Sequence, residues 1–135
     1  MKTVSIAAAL IVANLMMPQM ASAQQSGIKR TDLMRRDLSV PGREVNQVLV
    51  EFAPGVSFPK HSHPGEELVY VVEGSIVYEL EGKPAVTLKA GEVLFIPNGT
   101  PHSAKNVGSV RAVELATYIV EKGKPVLVLS PTVAR

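Results

Sequence analysis

The chain reads as an all-β protein, a sandwich or barrel, and three observations carry that reading. Short runs of valine, isoleucine, leucine and aromatic residues recur along it, glycine-bearing turn pairs cut those runs at close intervals, and nothing after residue 23 keeps a helical period. At 135 residues there is room for one domain of the usual roughly 100–150 residues.

Residues 1–23 are set apart as an export signal. Lys2 is the positive start, Val4 to Met17 the apolar stretch, and Ala21-Ser22-Ala23 the small-x-small cleavage pattern, so cleavage is expected before Gln24. The stretch is shorter than the roughly 20 apolar residues that span a bilayer, and Asn14, Pro18 and Gln19 interrupt it, so no stable membrane span is expected after cleavage. The chain has no cysteine, which excludes a lipid anchor on cysteine, a disulfide and a thiolate ligand. The expectation is a periplasmic or secreted protein.

Residues 24–42 are polar, end in the turn signal Pro41-Gly42, and read as an N-terminal arm to a domain spanning 43–135. Lys29, Arg30, Arg35 and Arg36 cluster there with Asp32 and Asp37 interleaved, the pattern of a solvated segment. The first strand is expected over 47–52, closed by Pro54-Gly55, followed by 57–63, by 67–72 up to Glu73-Gly74, and by 76–80 up to Glu81-Gly82. Further strands are expected over 85–88 before Ala90-Gly91, 93–96 before Asn98-Gly99, 102–106 before Val107-Gly108, 112–120 before Lys122-Gly123, and 126–129. Glycine suits these junctions because it adopts the positive φ of tight turns without steric cost. The formal net charge of +2 falls to about +1 once Lys2 departs, too small a surplus to point to nucleic acid.

The chain contains three histidines, His61, His63 and His102. Side chains alternate across a strand, so His61 and His63 project to one face, and Glu67 keeps that parity while Glu66 does not. Glu67 is therefore favoured over Glu66 as the acidic partner. His102 follows Pro97-Asn98-Gly99-Thr100-Pro101, whose two prolines restrict how the chain enters the next strand. Three neutral imidazoles and one carboxylate suit one divalent transition metal ion, and an octahedral ion would keep two open positions. Fe(II) or Mn(II) is favoured, with nickel, copper, cobalt and zinc also compatible. Val69 and Val71 share the parity of Glu67 and should make the interior apolar, whereas Tyr70 should face outward. Tyr78 is expected to face the barrel with Ile76 and Leu80, and Tyr78, Phe95 and Tyr118 are expected to pack in the core. Outside the site, the acids nearest a general-base role are Glu66, Glu73, Glu79 and Glu92, and none is assigned it. Lys60 and Lys105 flank ligand-bearing segments and read as solvated.

These residues also carry a family resemblance. Gly55, five residues, His61-x-His63, three residues, Glu67, six residues and Gly74 resemble the first cupin motif. Gly91, five residues, Pro97-x-Gly99, two residues, His102, three residues and Asn106 resemble the second. The resemblance implies a double-stranded β-helix, a small jelly-roll barrel, with the metal inside on His61, His63, Glu67 and His102. It also suggests a homodimer and a small-molecule ligand. Cupins host many reactions, so fold alone does not select one. The leading expectation is a dioxygenase similar to the quercetin-dioxygenase-like cupins, acting on a small enolic, phenolic or oxo-acid substrate. The alternatives are a non-catalytic binding protein for a small molecule or metal, and a non-redox isomerase or lyase.

Overall fold

The computed structural model describes residues 25–131; the segment read as an export signal, with its cleavage point, lies outside them. Among the described residues all regular structure is β, and no helix is long and apolar enough to cross a membrane. In one five-stranded sheet β1 (Ile28–Asp37), β2 (Arg43–Phe52), β9 (Ala112–Glu121), β4 (Gly65–Glu73) and β7 (Val93–Ile96) lie in that order. The second five-stranded sheet runs β10 (Val128–Leu129), β3 (Ser57–Ser62), β8 (His102–Asn106), β5 (Ser75–Leu80) and β6 (Val86–Lys89). All pairings are antiparallel. This is the double-sheet jelly roll expected from the sequence.

The core lies between the sheets. Val48, Val50, Phe52, Val69, Val71, Ala116, Tyr118 and Val120 face Phe58, Ile76, Tyr78, Leu80 and Ala104 across it. Alternation of buried and less buried residues, strict along β2 and over most of β4 and β9, is the period-2 pattern that placed these strands.

The structure departs from the sequence reading at β1, at the start of β2 and at Phe95. Within 24–42 no strand was expected, yet Ile28–Asp37 pairs with β2 along its length. It is an edge strand, exposed at most positions and shifted in register between Asp32 and Met34, so it lacks the apolar alternation that marks a strand. Likewise β2 begins at Arg43 rather than residue 47, because the inward positions of its first turn of pleat are Glu44 and Asn46, buried but polar. Phe95, expected in the core, is 57% exposed. In β7 it is Ile96 that points inward, which turns Phe95 to the outer face.

Two local features position the interior. In β3 the register shifts between Phe58 and His61, so Phe58 opposes Ala104 and His61 opposes His102. The extra residue, at Pro59-Lys60, resets the alternation and lets both Phe58 and His61 point inward. At Gly65 the chain passes from the second sheet to the first so close to β9 that a Cβ would lie 2.0 Å from the Ile119 carbonyl oxygen. Only glycine admits that approach.

Candidate metal centre

His61 is the penultimate residue of β3, His63 lies in the crossing between the sheets, Glu67 sits in β4 and His102 opens β8. All four are buried, and one potential ligand atom from each falls within 4.8 Å of the others. The structure brings Glu67 together with the three histidines, whereas Glu66 is half-buried on the opposite parity and outside the cluster. Val69 and Val71 are buried and Tyr70 is exposed, as their parities require.

Each imidazole is held from behind by a backbone carbonyl. His61 Nδ1 donates to Pro59 O at 2.7 Å, His63 Nδ1 to Val126 O at 2.6 Å, and His102 Nδ1 to Thr100 O at 2.9 Å. A carbonyl oxygen only accepts, so Nδ1 carries the hydrogen, and in the neutral ring Nε2 is left as a lone pair. His63 Nε2 and His102 Nε2 each lie 3.1 Å from Glu67 Oε2. Lone pair then faces lone pair, and both His63 Nε2 and Glu67 Oε2 are buried without a hydrogen-bond partner. A proton or a cation must sit between such groups. The donor set fits a divalent transition metal ion, and the free space beside it, about 10 Å³, accommodates one ion or one water.

The electrostatics agree. Burial, then the neighbouring His102 ring, holds the His61 imidazole down at about 3, so it stays neutral and able to coordinate at ordinary pH. Burial pushes the Glu67 carboxyl up, but the adjoining His102 and His63 rings outweigh it and keep the group below the usual carboxylate range. The carboxylate therefore remains charged.

Sequence reasoning missed one acid. Glu114, the third residue of β9, is buried, and the Tyr78 hydroxyl donates a hydrogen bond to its carboxyl oxygen. Burial, then the charge of Glu67, raises the Glu114 carboxyl to about 8, so it is largely protonated at neutral pH. Burial, then Glu114, likewise pushes the Tyr78 phenol far up. Tyr78, Glu114 and Tyr118 line the same small cavity as His61, Glu67 and His102. The signal was present: Glu114 shares the parity of Ala112, Ala116, Tyr118 and Val120, the inward side of β9. By contrast Glu73 pairs with Arg111, Glu92 accepts the Lys89 backbone N–H, Lys60 pairs with Glu81, and Glu79 and Lys105 are exposed.

The basic segment of β1 also departs from a purely solvated reading. The Arg30 guanidinium lies 6.0 Å from the Phe58 ring centroid and 5.9 Å from that of Tyr118. Those rings in turn lean on His61 at 4.7 Å and on His63 at 4.6 Å.

The family model of the cupin domain matches residues 48–119. The oxalate-binding protein of Thermotoga maritima is 38% identical over 72 residues, covering 53% of this chain and 59% of that protein. The dimethylsulfoniopropionate lyase DddQ of Ruegeria pomeroyi is 33% identical over 57 residues, covering 42% of this chain and 28% of that one. The chain thus spans less than two thirds of the length of each of these relatives. Among solved structures, an oxalate oxidase superposes with a TM-score of 0.64 at 27% identity, over 81% of this chain and 58% of its own. A cupin superfamily protein of Desulfitobacterium hafniense shares the fold, with a TM-score of 0.60 at 21% identity over 73% of this chain and 83% of its own. Because the family model runs from β2 to β9, through every strand that brings a donor to the cluster, the chain belongs to the cupin family.

Proposed function

We propose that this chain is an exported, mononuclear metal-dependent enzyme that turns over a small oxo-acid, enolic or phenolic substrate with dioxygen. The observation that carries the metal is the pair of buried, unpartnered atoms, His63 Nε2 and Glu67 Oε2, inside a ring of backbone-braced imidazoles. A bound Fe(II) or Mn(II) would supply Lewis acidity and one-electron chemistry. The residues do the rest: the carbonyls of Pro59, Thr100 and Val126 fix the ring orientations, and Val50, Phe52 and Phe58 exclude water. Likeness to an oxalate oxidase and to an oxalate-binding protein supports small, oxygen-rich ligands.

A second reading, a non-redox lyase or isomerase, is favoured by Glu114, a protonated buried acid beside the donors that is suited to moving a proton. The same residue supports turnover over a purely binding role. Likeness to a lyase accords with it. We further propose that a second copy of the chain covers the outer face of β4 and β7, where Leu68, Tyr70, Val93 and Phe95 are exposed. Export is tested by mass spectrometry of the mature N-terminus, expected at Gln24.

The deciding experiment is elemental analysis, then anaerobic Fe(II) or Mn(II) loading and oxygen-uptake assays over catechols, flavonols, diketones and oxo acids. Oxygen uptake with one class is expected. Full occupancy with no uptake on any class would sink the dioxygenase reading, and turnover without oxygen would install the second.

A further inference from the structure

We propose that Arg30 is the carboxylate-recognising residue of this centre. Of the substrate classes above, the chain then takes small oxo acids that carry a free carboxylate. The inference rests on the metal reading and deepens it. The space beside the donors holds no more than an ion or a water, so a ligand is drawn from the larger cleft outside, about 490 Å³. Arg30 lines both the inner cavity and that cleft. Val126, whose carbonyl braces His63, lines the cleft as well. Arg30 is thus the residue that the cleft shares with the cavity of the donors, and Val126 ties the cleft to His63.

The state of the guanidinium matters as much as its place. Arg35 is tied to Glu44, Arg111 to Glu51 and Glu73, and Lys29 to Glu51. Arg30 has no carboxylate within ion-pair distance among the described residues, and its hydrogen bond to the Tyr118 hydroxyl is long, at 3.5 Å. Within about 6 Å of the Phe58 and Tyr118 ring centroids, its fork of donors is steered by both rings yet largely unspent. With Arg35 already paired to Glu44, Asp32 is the acid of the cleft against Arg30 and Arg36, so the approach stays net positive. A guanidinium pairs with a carboxylate through two parallel hydrogen bonds, whereas a neutral phenol or enol gains no such pairing.

The test measures binding to the Mn(II)-loaded full chain by calorimetry, with pyruvate and the isosteric neutral pyruvamide as probes. Metal content of every variant is read by elemental analysis. The wild type should prefer pyruvate, and Arg30→Gln should cut that preference by about tenfold at unchanged metal content. Arg30→Lys should cut it less, and Lys29→Gln, the same change of charge on the outward side of β1, should leave it unchanged. Arg30→Gln with full metal and an undiminished preference overturns the proposal. So does loss of metal in both Arg30 variants, which would make the residue a structural brace. A wild-type chain that takes up no metal overturns the metal reading instead, and is read before any probe is added.

Discussion

At the scale of single residues, the site separates side chains that the sequence sets next to each other. Glu66 and Glu67 are adjacent carboxylates, yet one faces the flank of β4 and the other closes a ring of imidazoles. His102→Ala should therefore strip most of the metal, whereas Glu66→Gln should leave it near normal, as measured by metal content of the purified protein. The reverse result would mean that the alternation argument is wrong. Glu114 makes a different prediction because its carboxyl is raised to about 8 from an ordinary value near 4.5. Between those values the folded chain keeps a proton that the unfolded chain has lost, so stability is greatest below the lower value and falls as pH rises toward the upper. The limiting slope is about 1.4 kcal/mol per pH unit. The groups acting on Glu114 are Glu67, Tyr78 and Arg30. Denaturant melts of the metal-free chain from pH 5 to 8 should show this decline, and Glu114→Gln should flatten it. A variant as pH-dependent as the wild type would show that Glu114 does not hold the proton.

At the scale of elements, the crossing from β3 to β4 does the decisive positioning, because it carries His63 between the sheets and delivers Glu67 opposite Tyr118 and Ile96. Gly65 lets the crossing pass against β9. Gly65→Ala would force the Ile119 carbonyl aside, a backbone clash expected to cost at or above the upper end of the roughly 1–3 kcal/mol typical of overpacking. Metal content should fall with it. Gly82→Ala meets open space and strains only a positive φ of 73°, so it should cost less, about 1 kcal/mol. Comparable melts for the two variants would refute the close-approach argument. Most of this element was legible beforehand: the parity of residues 61, 63 and 67 survives the Pro64-Gly65 turn, so the four side chains read from the sequence meet in one cluster. What stayed hidden was polar. β1 and the start of β2 show no apolar alternation, since Glu44 and Asn46 are buried at positions that pattern reading reserves for hydrophobic residues, and Arg30, on the parity of Ile28, is exposed. Glu114 was lost for the same reason. Buried polar residues at inward positions mark this site, and a hydrophobic period is blind to them.

At the scale of the whole molecule, the two sheets share one interior but have different outer faces. Along β4, Leu68, Tyr70 and Val72 point outward while Glu67, Val69 and Val71 point inward, so the strand is apolar on both sides. That pattern belongs to strands covered on both faces, not to a sheet with one wet side. The outer groove, about 320 Å³, is lined by Leu68, Val69, Tyr70, Val93, Leu94, Phe95, Leu115 and Thr117, with no charged residue among them. No charge selects a complementary foreign surface there, and β7 lies at the sheet edge, so two copies can meet face to face about a two-fold axis. Sedimentation velocity of the wild type should give a dimer, and Phe95→Glu, which places a charge where the 57% exposed ring would be covered, should give a monomer. Because Phe95 points away from the donors, the variant should keep its metal. A monomeric wild type at tens of micromolar would remove the second copy as the occupant of this face, while leaving the interior, which is assembled within one chain, untouched.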